Sequence, residues 1–179
     1  MKYKKIMILC ITFLVTILAS CAKKIDSDKE ITFLNKNKAH IYAYKETEVV
    51  DTISSNFTNI EDISLSYDFI SIVIDCSKYY QNMTKDFIED LYNLLNLNDH
   101  IMVLFVDAKN YNFFESTPFA NEKNYYENVS YVHGFYNFSS VKGIVEINYG
   151  LTFDGEGSKF KYAIISTFYR RVYNYIGAL

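Results

Sequence analysis

The chain has few of the residues that form disulfides, interrupt helices and strands, or bind zinc. Its 179 residues include no tryptophan, one proline, six glycines, three cysteines and three histidines. Cys10 lies within an apolar run from Ile6 to Leu18 and Cys21 lies three residues after it, so Cys76 is the only cysteine outside this N-terminal segment. An internal disulfide is therefore excluded. One cysteine and three dispersed histidines also do not match the clustered ligands of a structural zinc site.

Positive charge is scarce as well. The chain has 18 basic and 21 acidic residues, and its formal net charge is −3. Residues 1–20 carry three lysines and no acid, so their removal takes the net charge from −3 to −6. An acidic domain without a basic stripe is not expected to bind nucleic acid. The same charge argues against docking on anionic lipid beyond a covalent anchor.

The leader has the three parts of a secretory signal peptide. Lys2, Lys4 and Lys5 form a basic start, and an apolar run extends from Ile6 to Leu18. Thirteen residues suit a signal peptide and are fewer than the roughly 20 that span a bilayer. Two small residues, Ala19 and Ser20, precede Cys21. The sequence therefore predicts a signal peptide over residues 1–20.

The end of the leader, Leu18-Ala19-Ser20-Cys21, resembles the lipobox of bacterial lipoproteins. The resemblance implies that Cys21 becomes the new N-terminus and carries a diacylglyceryl group, often with a third acyl chain. It implies a protein held by lipid on the cell membrane or the outer membrane, facing the periplasm or the exterior. We interpret residues 21–30 as a polar tether and 31–179 as a single globular domain.

Hydrophobic periodicity predicts an α/β or α+β domain with a mixed sheet. The clearest unit is βαβ: a buried strand over 69–74, a helix face over 87–95 and a second buried strand over 101–106. The two strands should be parallel, because a helical crossover joins them. Before this unit, residues 31–45 are typical of a hairpin and 49–60 of a helix face.

The C-terminal part is less regular. One strand is expected near 129–135, within an aromatic excursion over 110–140, and another over 144–149. Residues 158–176 have helical periodicity, with Ser158 as a cap and Gly177 as a stop. The same residues are β-branched and aromatic, so a hairpin partner for 144–153 is the alternative.

Acidic residues end both strands of the βαβ unit. Asp75 follows the first strand and Asp107 the second. Ligands of open α/β sheets bind beyond the carboxyl ends of the strands. Asp75, Ser77 and Asp107 are therefore candidate ligands of Mg²⁺ or Ca²⁺. The structural alternative is that these acids cap the turns that follow their strands.

Around Asp75 the sequence resembles von Willebrand factor type A domains. An apolar strand leads to Asp75-Cys76-Ser77, an amphipathic helix follows, and a second strand comes after Asn98-Asp99-His100. The resemblance implies a cation-dependent adhesion domain. Its cation site has Asp-x-Ser-x-Ser, whereas Tyr79 stands at the last position here and no threonine loop follows.

The same tripeptide, with His133 downstream, resembles papain-like cell-wall peptidases. That resemblance implies Cys76 as nucleophile and His133 as its base. Those enzymes place the cysteine at a helix N-terminus with glycine after the serine, whereas a strand precedes Cys76 and Lys78 follows Ser77. A buried, unreactive Cys76 is the alternative.

Aromatic side chains are dense between residues 111 and 138, and exposed aromatic patches mark contacts with partners. The residues concerned are Tyr111, Phe113, Phe114, Tyr125, Tyr126, Tyr131, Phe135 and Tyr136. They predict a face for a protein or glycan partner, or the cover of a sheet. Taken together, the anchor and the lack of a complete catalytic set in the sequence favour a non-enzymatic binding lipoprotein.

Overall fold

The computed structural model describes residues 27–47, 49, 52–108, 117–119, 132–138, 143–149 and 158–177. Within these ranges the helices are α1 (Ser27–Lys36), α2 (Cys76–Tyr79), α3 (Lys85–Leu97) and α4 (Ser158–Gly177). The strands are β1 (Ala39–Tyr44), β2 (Ser54–Phe57), β3 (Phe69–Asp75), β4 (Ile101–Val106), β5 (Val132–Asn137) and β6 (Val145–Tyr149). Short 3-10 turns occupy Ile60–Asp62 and Tyr80–Asn82.

The six described strands form one mixed sheet in the order β2-β1-β3-β4-β5-β6. The first four strands in that order are mutually parallel, and β5 and β6 add to β4 in antiparallel pairs. The predicted α/β class with a mixed sheet is therefore confirmed. The strand order 2-1-3-4 is also one that doubly wound α/β sheets use.

Helices cover the sheet on both faces. Helices α1 and α4 pack on one face, which we call the α1/α4 face; its core includes Leu34, Ile41, Val73, Leu104 and Phe168. Helix α3 packs on the other, the α3 face; its core includes Ile72, Leu91, Leu95, Phe105 and Phe135. Burial on both faces explains why β4 is a continuous apolar run and why β3 is apolar except for Ser71 and its last residue, Asp75.

The predicted βαβ unit is confirmed as β3, α3 and β4. The strands pair in parallel, with Ile72 opposite Val103. Helix α3 begins where the Thr84 hydroxyl accepts a hydrogen bond of 3.2 Å from the Phe87 N–H, a standard N-cap. Its buried side chains recur at helical spacing, as Ile88, Leu91 and Leu95.

The predicted hairpin over 31–45 is wrong. Residues 31–34 belong to α1, and β1 is parallel to both of its neighbours. Packing decides this segment, because Leu34 is fully buried against the sheet. The turn-forming residues end a helix instead of joining two strands: the Asn37 N–H bonds the Phe33 and Leu34 carbonyls, and Lys38 adopts a φ of 48°. Residues 27–30, which the tether interpretation included, form the start of α1.

The predicted helix face over 49–60 is also wrong, since the segment contains β2. Val49 and Ile53 are buried on the α1/α4 face, whereas Phe57 is buried on the α3 face. These side chains have helical spacing but point to opposite sides of the sheet. Helical periodicity does not reveal this change of face.

The predictions for the C-terminal part agree better with the structure. β5 begins at Val132, and residues 129–131 of the predicted strand lie outside the described residues. β6 matches the strand predicted over 144–149, and the helix predicted over 158–176 is α4, so the hairpin alternative is wrong. None of the described helices is long and apolar enough to cross a membrane.

Candidate functional site

The carboxyl ends of β1, β3 and β4 lie side by side at one edge of the sheet, which we call the carboxyl edge. Asp75 is opposite Val106 in the register of β3 and β4, so Asp75 and Asp107 both lie at this edge, as predicted. The link from β1 to β2 packs on the α1/α4 face through Val49 and Ile53. The link from β3 to β4 packs on the α3 face.

Adjacent strands whose connections leave on opposite faces define a topological switch point, and a crevice opens there in α/β sheets. In this fold the switch point lies between β1 and β3. The residues that follow these two strands, 45–47 and 76–79, are therefore the walls of the candidate site.

Tyr79 joins the two walls. Its hydroxyl accepts a hydrogen bond of 3.1 Å from the Glu46 N–H, and its ring packs edge-on against Tyr44 at 5.5 Å. The Lys45 Nζ lies 5.3 Å from the centroid of the Tyr44 ring and 5.6 Å from that of Tyr79, within cation–π range.

Asp75 caps the turn that follows β3. Its Oδ1 accepts hydrogen bonds from the Ser77 N–H at 3.0 Å and the Ser77 hydroxyl at 2.6 Å. The Lys78 Nζ lies 3.9 Å from its other oxygen, Oδ2. Asp75 and Ser77 are thus brought together, and the contacts are those of the turn-capping alternative.

Backbone conformation singles out two residues at the carboxyl edge. Lys45 and Asp107, which follow β1 and β4, both have φ values of 53°. Left-handed backbone costs an L residue about 1–2 kcal/mol, less for aspartate than for lysine.

Among the described residues, no group of three or more histidines, cysteines, aspartates or glutamates is placed to hold a metal ion.

Cys76 is the first residue of α2, where the papain-like resemblance requires a cysteine, but its side chain is fully buried. Its Sγ lies 4.0 Å from the Ile74 carbonyl oxygen. Burial raises the pKa of the thiol far above its usual range, and the negative charges of Asp75 and Asp107 raise it further. The thiolate needed for nucleophilic attack is strongly disfavoured in this environment.

His133 lies apart from Cys76. It is opposite Phe105 of β4, which is opposite Ile74 of β3, so two strand spacings, about 10 Å, separate its backbone from that of Ile74. Its Nε2 lies 2.6 Å from Oε1 of Glu146 on β6, and its ring stacks on Phe135 at 5.0 Å. Both the imidazole and the carboxylate are buried. The structure therefore gives His133 a carboxylate neighbour, Glu146, that no motif in the sequence indicates.

The aromatic segment is described only in part. Tyr111, Phe113, Phe114, Tyr125, Tyr126 and Tyr131 lie outside the described residues. Phe135 is fully buried, and Tyr136 is half-buried, its hydroxyl accepting a 3.2 Å hydrogen bond from Arg171. These two residues cover the sheet and do not form an exposed face.

Comparison with family models, with curated proteins and with solved structures finds no match to this chain. Its function is therefore inferred from its residues and their geometry.

Proposed function

We propose that this protein is an exported lipoprotein, anchored in a membrane by acyl chains on Cys21, whose folded domain binds a partner or ligand. The run Leu18-Ala19-Ser20-Cys21, directly after a thirteen-residue apolar segment, carries the proposal. Two or more acyl chains give stable anchoring, whereas one gives only marginal binding. The bound partner would be a protein or a glycan of the cell envelope.

The chemistry of the carboxyl edge supports binding over catalysis. Asp75 and Ser77 bond to each other, and Cys76 is buried as a thiol. The imidazole of His133 is held against Glu146. The burial of Cys76 and the two strand spacings between β3 and His133 weaken the cysteine-peptidase alternative, which requires a Cys76 thiolate within hydrogen-bond reach of the imidazole.

The anchoring is tested by labelling cells with a palmitate analogue. Cells producing the full chain should incorporate the label into it, and Cys21→Ser should abolish that incorporation. Cys10→Ser is the matched control, because Cys10 lies in the apolar run and should leave labelling unchanged. Equal labelling of Cys21→Ser and the parent chain would refute the anchor, as would a mature protein whose mass retains residues 1–20.

A further inference from the structure

The first described helix fixes where the anchored end of the chain leaves the domain. Helix α1 ends at Lys36, and two residues separate it from the start of β1 at Ala39. With so short a connection, α1 runs back along β1, against which Leu34 is buried. Ten helical residues extend about 15 Å, close to the length of a six-residue strand. Ser27 therefore lies toward the carboxyl edge.

Contacts with α4 independently indicate that the start of α1 lies toward the carboxyl edge. Tyr175, near the end of α4, packs its ring 5.8 Å from Phe69 and 4.6 Å from His100, at the amino ends of β3 and β4. Ser166 lies about 13 Å back along that helix, toward the carboxyl edge. The Ser166 hydroxyl donates a 2.7 Å hydrogen bond to Glu30, in the first turn of α1.

Only six residue steps separate Cys21 from Ser27. A fully extended chain of that length reaches about 20 Å. We propose that the carboxyl edge of the sheet, including the switch point between β1 and β3, faces the bilayer that holds the lipid of Cys21. This inference rests on the proposed lipid anchor.

The carboxyl edge carries side chains suited to a lipid headgroup layer. Tyr80 follows α2 and is 40% exposed, and the Lys78 side chain is 55% exposed. Tyrosine and lysine both combine an apolar body with a polar tip, which places them well at a membrane–water interface. By contrast, the described exposed residues on α1 are polar or charged, namely Asp28, Lys29, Thr32, Asn35 and Lys36. They do not favour burying the outer side of α1 in lipid.

The opposite edge provides the control position. Leu97 ends α3, and the Asn137 amide bonds the Leu95 carbonyl at 3.1 Å beside the amino end of β4. Leu97 is 79% exposed, the most exposed large apolar side chain among the described residues. If exposed apolar area alone oriented the domain, Leu97 and not Tyr80 would contact the membrane.

The absence of tryptophan from the chain makes the test clean, because an introduced indole is the only one present. The lipidated mature protein carrying Tyr80→Trp, Tyr173→Trp or Leu97→Trp is reconstituted in phosphatidylcholine vesicles, with or without bromine on the acyl chains. Tyr173 is 53% exposed and its ring lies 5.7 Å from Phe33, so it reports on the α1/α4 face. Bromine quenches only indoles close to the lipid.

We expect the indole at position 80 to lose emission in brominated vesicles and the indole at position 97 to keep it. Quenching at 97, or stronger quenching at 173 than at 80, overturns the orientation. Equal emission of all three indoles in the two kinds of vesicle overturns it too. Vesicle flotation separates this failure from failure of the anchor: a protein that floats without quenching at 80 is anchored in another orientation, and one that does not float is not lipid-anchored.

Discussion

The Cys76 side chain shows how its surroundings decide what a residue can do. The thiol is fully buried and lies at the same sheet edge as two carboxylates, Asp75 and Asp107. Burial and neighbouring negative charge both disfavour a thiolate, so both raise the pKa. The same cysteine on an exposed, electropositive helix N-terminus would be reactive.

We predict that native Cys76 reacts slowly with iodoacetamide between pH 5 and 9. If Cys21 carries lipid as proposed, Cys76 is the only free thiol of the mature chain, so mass spectrometry has a single site to follow. Reaction then requires local opening of the domain, and protection on the order of 100-fold relative to the urea-denatured chain is expected. The rate should also show no titration point below the reference of about 8.5.

The denatured chain serves as the control for reagent and thiol. Rapid alkylation of the native protein at pH 6 would contradict the prediction, because it requires an accessible thiolate. That result would favour the cysteine-peptidase alternative and make His133→Ala the next variant to measure.

Among the strands, β4 and β5 approach each other closely at Gly134. A Cβ added there would lie 2.6 Å from the Leu104 Cδ2 and 2.9 Å from the Val103 carbonyl oxygen. The second contact is with backbone and cannot be relieved by a side-chain rotation. Gly134 therefore allows β5 to pair with β4 while Leu104 stays in the core.

We predict that Gly134→Ala lowers the free energy of unfolding by about 1–3 kcal/mol, the usual effect of overpacking a core. The measurement is urea unfolding of the mature chain. Gly177→Ala is the matched control: nothing lies within 4 Å of its added Cβ, and alanine favours helix, so stability should stay equal or rise by up to ~1 kcal/mol. Equal stabilities of Gly134→Ala and the parent would show that β4 and β5 are more widely spaced.

The elements that sequence predicts best are those whose neighbours are close along the chain. The unit of β3, α3 and β4 has a buried run, an amphipathic helix and a second buried run in succession, so periodicity was sufficient. β1 instead pairs with two strands that come later, and nothing in residues 31–45 indicates that its partners are parallel. Turn-forming residues after Leu34 suggested a hairpin, although they end a helix.

The wrong hairpin prediction for residues 31–45 also limited the prediction of the site. Asp75 and Asp107 were expected at one edge because they follow the two strands of the predicted unit. The sequence does not predict Lys45 there, because residues 31–45 are typical of a hairpin, and the hydrogen bond between Glu46 and Tyr79 depends on the parallel placement of β1. The pairing of His133 with Glu146 depends on the register of β5 and β6, which sequence does not define.

For the whole molecule, a sheet buried on two faces needs a cover on each. Helix α3 covers one face, and α1 packs with α4 on the other. Leu34 is fully buried, and Ile31 and Phe33 pack against the same core. A domain that began after α1 would expose the apolar side of β1 and part of α4 to water.

We predict that a truncated chain beginning at Asn37 has a melting temperature about 10 °C or more below that of a chain beginning at Ser27, or does not fold. Each large apolar side chain withdrawn from water stabilises a fold by about 1.5–3 kcal/mol, and a domain has only about 5–15 kcal/mol in total. The loss of α1 removes one fully buried apolar side chain, Leu34, and two partly buried ones, Ile31 and Phe33. Circular dichroism melting of the two chains measures the difference.

A chain beginning at Ile31 separates two boundaries for the domain. If residues 21–30 were all tether, this chain would have the same melting temperature as the chain beginning at Ser27. The structure instead places Glu30 in the first turn of α1, bonded to Ser166 of α4, so its removal should lower the melting temperature measurably. Because α1 begins six residues after Cys21, the same boundary would set how far the folded domain can stand from the proposed lipid. An intermediate melting temperature would thus support the place of α1 in the core and the start of the folded domain before Ile31, from which the proposed orientation is argued.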